Sequence, residues 1–220
     1  MLSPEHLKTR QVDGREGRLS LESKRLDGQA GQIAQAARCL YEERGVAKTT
    51  VKDIAAEAGV TRELVYYYFH GKREITAAVI DDYIEDLVES AMVWNEGREF
   101  GMTEQSLRSC VQALRRALYD ASGNDRPMIR VVEELGIRDA FDLRAVRATV
   151  DAMFVCVVSE YAKFHEVEID LVYEMLCVVI FGLVGLLKLN PEITDEELMK
   201  VIEQVLHLDM RHRPGTMREV

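Results

Sequence analysis

Apolar residues recur at three- and four-residue intervals along most of this 220-residue chain, and no run alternates in the period of a strand. Ile33, Ala36, Ala37, Leu40 and Tyr41 predict a helix from Gly28 that stops at Gly45, just after Arg44. Thr50 then precedes Val51, Ile54, Ala55 and Ala58, and Asp53 completes a capping box three residues on, so a short second helix is expected. Gly59 breaks it, Val60 plugs the turn, and Thr61 is placed to cap a third helix from Arg62 to about Phe69. Ile80, Tyr83, Ile84, Leu87, Val88 and Ala91 carry a fourth to about Trp94.

Beyond the polar loop NEGREFGM, Thr103 caps a helix with the stripe Leu107, Val111, Leu114 and Leu118, ending near Ala121. A shorter helix is expected from about Pro127 to Leu135, and a long one from about Asp139 to Phe164. The segment from about Ile169 to Leu189 is apolar nearly all round, which a helix tolerates only when neighbours cover every side. A last helix opens on a capping box from Thr194 to Glu197 and carries Leu198, Val201, Ile202 and Val205 on one face. The fold class is therefore all-α, with about nine helices and no internal repeat. Its expected parts are a mobile tail over 1–27, a helix-turn-helix domain over 28–76, a helical domain over 77–210 and a tail over 211–220.

Charge refines this picture. The chain carries a net −10, yet from Ala77 onward 27 acidic residues face 15 basic ones, while the 76 residues before it carry a slight positive excess. The acidity belongs to the C-terminal two thirds, leaving a near-neutral region that can turn its cations to one face. Cys39, Cys110, Cys156 and Cys177 are scattered through apolar helical patterns with no metal-ligand spacing, and are read as four buried thiols. No nucleophile, base and acid stand in a hydrolase arrangement, so neither an enzyme nor a metal or cofactor site is expected. The longest charge-free apolar stretch, Met175 to Leu187, falls short of the ~20 residues that span a bilayer. With no leader-like apolar segment among the first residues, a cytoplasmic protein without a membrane partner is expected.

The segment TVKDIAAEAGVTRELVYYYF has what a helix-turn-helix requires. Ala55 and Ala58 let the helices approach, Gly59 turns the chain, and Val60, Val65 and Phe69 fill the wedge beneath. Tyr68, in step with Val65, is read as core. Arg62, Glu63, Tyr66 and Tyr67 fall on or near the uncovered face and can enter a major groove. Arg62 can donate two parallel hydrogen bonds to guanine, Glu63 can accept from cytosine, and the tyrosine hydroxyls can reach phosphate or base edges. Thr49, Thr50, Thr61 and Lys72 lie at helix N-termini, where free backbone amides favour phosphate.

These residues resemble the TetR family of bacterial transcription regulators. The likeness covers about Ile33 to Ile75, above all TTVKDIAAEAGVTRELVYYYFHGK. Val46 stands where the family usually has an aromatic residue and Glu63 where it has a small one; Gly71 and Arg73 replace the common cap residue and Glu. An acidic Glu63 beside phosphate either selects one base or is turned away.

The resemblance implies pairing through the last two helices and a small-molecule site among the others. Apolar surface argues for pairing independently, since the helix from Ile169 to Leu189 has more than one core can cover. Val179, Gly182, Leu183, Leu186, Leu198, Val201, Ile202 and Val205 are the expected dimer face. Gly182 and Gly185 permit close backbone approach, either to a second copy or within the chain. Trp94, Phe100, Tyr119, Met128, Phe141, Met153, Phe154 and Tyr161 are candidates for a pocket lining. The expected function is a homodimeric repressor released from a palindromic double-stranded operator by a small apolar or amphipathic effector. An enzyme with an appended DNA-binding domain, or an architectural DNA-binding protein without sequence preference, is the alternative.

Overall fold

In α1 (Gly28–Arg44) the stripe Ile33, Ala36, Ala37, Leu40 and Tyr41 is buried, and Gly45 ends the helix at φ +89°, a conformation that side chains with a Cβ rarely adopt. The computed structural model describes residues 28–96, 104–154 and 171–205. In α2 (Val51–Glu57), Thr50 Oγ1 accepts from Asp53 N–H at 3.2 Å while Asp53 accepts from Thr50 N–H at 2.8 Å. Such reciprocal capping contributes about 1 kcal/mol to a helix of only seven residues. Gly59, at φ +66°, reverses the chain, and Thr61 Oγ1 accepts from Leu64 N–H to start α3 (Arg62–Tyr68).

Ile54, Ala55, Val65 and Phe69 close onto the α1 stripe and onto Ile75 and Val79, all buried. Those last two begin α4 (Lys72–Glu96), whose 25 residues span about 37 Å at ~1.5 Å per residue. Arg38 of α1 clamps the two helices together. It pairs with Asp82 and, at 2.7 Å, with Asp86, and its guanidinium lies 4.7 Å above the Tyr83 ring. Burial works against its charge, but the two aspartates outweigh that and raise its pKa.

Around the far part of α4 stand α5 (Glu104–Leu118), α6 (Pro127–Glu134), α7 (Arg138–Met153), α8 (Val172–Leu189) and α9 (Asp195–Val205). The chain is all-α: nine helices and no strand among the described residues. α4 packs most extensively on α7, then on α1 and α5, while α9 lies on α5. Leu198, Met199 and Ile202 anchor α9, helped by Arg115–Asp195 at 3.0 Å and Arg108–Glu196 at 2.6 Å. Tyr119 Oη donates to Leu187 O at 2.9 Å and ties the end of α5 to α8.

Some expectations need correction. α5 ends at Leu118 instead of Ala121, because Asp120 turns back to accept from Ser122 and Asn124 N–H and forms a turn of its own. Cys39 is exposed, on the face of α1 away from its apolar stripe; Cys110 and Cys177 are half-buried, and burial pushes the Cys110 thiol up to about 11. Cys156, Thr103, the helix expected through Phe164 beyond 154, and the segments 1–27 and 211–220 lie outside the described residues.

Candidate nucleic-acid interface

Because Val65 and Phe69 face inward, the opposite side of α3 is offered outward, with Arg62 and Glu63 exposed and Tyr66 and Tyr67 at 50% and 79% exposure. Tyr68 is also outside. At 38% exposure it stacks edge-on to Tyr67 at 5.1 Å and donates to Gln29 Oε1 at 3.3 Å, so it is not core. Phe69, four residues after Val65, closes the wedge instead. A planar guanidinium beside three aromatic rings gives this surface bidentate and stacking donors on a helix narrow enough for a major groove.

Glu63 lies exposed in the first turn of α3. Its own backbone N–H first, and the Thr61 hydroxyl second, hold its carboxyl below the usual carboxylate range.

The helix N-termini divide. Thr50 and Thr61 are exposed caps. Thr49 is 1% exposed and its Oγ1 donates to Gly45 O at 2.9 Å, so its hydroxyl closes the α1–α2 turn and does not face phosphate. Lys72, expected on phosphate, reaches back to donate from Nζ to Val46 O at 2.6 Å. Lys48, exposed just before α2, and Lys52, exposed in its first turn, were not singled out in the sequence; their signal is charge at a capped N-terminus.

This geometry has counterparts. Residues 33–79 match the N-terminal domain of bacterial regulatory proteins of the tetR family. That segment carries the family's N-terminal domain. Over 45 residues it is 47% identical to the HTH-type transcriptional regulator TtgR of Pseudomonas putida, and likewise to the probable HTH-type regulator ArpR of that species. The match spans 20% of this chain and 21% of each of those relatives. Solved structures extend the likeness of fold to about four fifths of the chain. A tetR-family regulator from Mesorhizobium loti aligns at TM-score 0.56 and 14% identity over 81% of this chain and 93% of its own. The tetR-family repressor AlkX from Dietzia aligns at TM-score 0.53 and 20% identity over 80% and 96%.

Outside the tetR-like domain, the remaining candidates scatter. On α8 the exposed positions Glu174, Val178, Phe181, Gly182 and Leu189 follow one stripe, with half-buried Gly185 on the same line, and Val205 is exposed on α9. Val179, Leu186 and Val201 are half-buried. Leu183, Leu198 and Ile202 are buried in the chain's own core and cannot form an outer dimer face. An apolar helix shows its stripe in sequence, but not which side its own chain covers.

The expected pocket lining is also redistributed. Met128 and Phe141 are core residues, and Phe154 packs edge-on against Tyr173 at 5.7 Å. Trp94 Nε1 donates to Ser106 O and Ser109 Oγ, pinning α4 to α5. Met153 is half-buried, and Phe100 and Tyr161 lie outside the described residues. Tyr119 borders an open cleft of about 320 Å³ with Gln112, Arg115, Arg116 and Glu192. A second cleft, about 200 Å³, lies beside Phe181 between Asp139, Asp142 and Lys188.

Proposed function

We propose that this protein regulates transcription as a homodimer, repressing from a palindromic operator that it releases when a small apolar or amphipathic molecule binds among its C-terminal helices. The carrying observation is α3, whose outward face offers Arg62, Tyr66 and Tyr67 while its inner face is locked onto α1 and α2. Arg62 reads guanine, the tyrosines reach phosphate or base edges, and the exposed caps Thr50 and Thr61 present backbone amides to the sugar-phosphate chain.

Pairing is supported by the stripe Val178, Phe181, Gly182, Gly185 and Leu189. Among the described residues, a Cβ built on Gly182 or Gly185 meets nothing within 4 Å. They leave room for a second helix at close approach, and a two-fold pair suits a two-fold site. α4 begins beside α3 and ends past Trp94, so it is the lever by which a displacement among the C-terminal helices alters the separation of two recognition helices.

The test is selection of preferred DNA from a random pool by the full chain, followed by a screen of apolar and amphipathic compounds for release. A palindrome that binds two chains, and an effector whose affinity falls in the presence of operator by the same factor that operator affinity falls in its presence, are expected. Binding that ignores sequence would overturn the reading.

A further inference from the structure

The α1–α2 turn is gripped from the C-terminal half of the molecule. Glu134, the last residue of α6, accepts from Val46 N–H at 2.9 Å and from Ala47 N–H at 2.7 Å. These two amides fall between the end of α1 and the start of α2, where no helix supplies an acceptor. The carbonyl of Val46 is held from the other side by Lys72 Nζ. Gly45 makes room for the carboxylate, since a Cβ there would stand 2.7 Å from Glu134 Oε2. The bond from Ala47 N–H is the largest influence on the Glu134 carboxyl, and together with the bond from Val46 N–H and the cations Lys72 and Lys48 it outweighs burial and holds the carboxyl below its usual range. It therefore acts as an ionised double acceptor, the stronger kind of hydrogen-bond partner.

The position of this grip gives it a consequence. The turn leads straight into α2, and α2 and α3 share the wedge of Ile54, Val65 and Phe69. The orientation of α2 and α3 is thus set by the core they share with α1 and α4, and Glu134 adds a hold from α6 on the turn that leads into them. We propose that Glu134 is a positioning residue for DNA recognition, setting the tilt of the α2–α3 unit against α6 and hence the spacing of the two recognition helices. The proposal rests on the DNA-reading function above. Plain electrostatics gives the opposite sign, because removing a negative charge near a DNA-binding face should tighten binding.

Full-chain Glu134→Ala and the isosteric Glu134→Gln are compared with the unmodified protein on its selected palindrome and on a version lengthened by one base pair between half-sites. Glu134→Ala is expected to weaken palindrome binding by about five- to twentyfold, within the range of couplings between distant sites. The penalty for the extra base pair is expected to shrink, because a loosened unit tolerates wrong spacing; a role confined to stability would leave that penalty unchanged. Amide exchange at Val46 and Ala47 is expected to quicken by about tenfold or more, as fits loss of a charge-assisted hydrogen bond. Glu134→Gln, which keeps one acceptor, is expected between the two and serves as the test if the alanine variant melts. Equal or tighter palindrome binding with an unchanged spacing penalty would overturn the proposal. An unmodified chain that selects no DNA would instead overturn the underlying function, and the proposal with it.

Discussion

The unit around the helix-turn-helix and the helices that follow Trp94 solve different problems. Between Gly28 and Val79 the apolar stripes of α1, α2 and early α4 are buried with Val65 and Phe69 in the chain's own core, while Tyr66, Tyr67 and Tyr68 stand outside it; the turns are set by Gly45 and Gly59, and both short helices carry side-chain caps. In the C-terminal part, α8 leaves a stripe of Val178, Phe181 and Leu189 in the open, and a small open cleft lies beside Phe181. The family model matches within the first region alone, at residues 33–79, whereas alignments over about four fifths of the chain share the fold at 14% to 20% identity. A surface that must fit one invariant groove tolerates few solutions. An apolar helical scaffold can be filled in many ways while keeping its architecture.

The sharpest way to break this comparison is to charge α8 on its two sides. Phe181→Glu, on the open stripe, is expected to leave the fold intact, give monomers in sedimentation, and lower operator affinity about a hundredfold or more as the two half-sites cease to act together. Leu183→Glu, two residues on but buried, is expected to unfold the C-terminal helices, visible as a lost thermal transition in circular dichroism. Dimers from Phe181→Glu would show that the open stripe is not the pairing face.

Arg62→Ala tests the other region. It is expected to cost about 1–3 kcal/mol on the preferred site and almost nothing on random DNA, read by competition binding. An equal loss on both would assign Arg62 to phosphate.

Smaller effects compare the caps. Thr61→Ala and Thr194→Ala are each expected to cost about 1 kcal/mol in thermal unfolding, but only the first should weaken DNA binding, since Thr194 caps α9 through Glu197. The mildest effect is expected from acid. Asp53, Glu134 and Glu197 all have carboxyls held below their usual range by hydrogen bonds from Thr50, from Ala47 and Val46, and from Thr194. A depressed folded pKa gives stability that is present above the unfolded value, about 4, and is lost as pH falls through the lower folded values. Melting temperature should therefore be flat above about pH 5 and decline below pH 4.

The helix-turn-helix was largely legible because its determinants are local. The Thr50–Asp53 box, Thr61 and the two glycines lie within four residues of what they control, and the starts of the first four helices agree with the pattern. Tyr68 was misread because a spacing of three from Val65 places a residue near the inner face without showing that Phe69 already fills it. Leu183, Leu198 and Ile202 were assigned to a dimer face because apolarity marks what is covered and not by which chain. Glu134 left no signal, its partners being 87 and 88 residues away and offering only backbone amides.

The most direct test of the central claim is a fluorescence anisotropy titration of the full chain against its selected palindrome, an isolated half-site and a scrambled duplex, with stoichiometry read at saturation. Two chains per palindrome are expected, with affinity well above that for the half-site and about a thousandfold or more above that for scrambled DNA. One chain per duplex, or equal affinity for palindrome and scrambled sequence, would contradict the account.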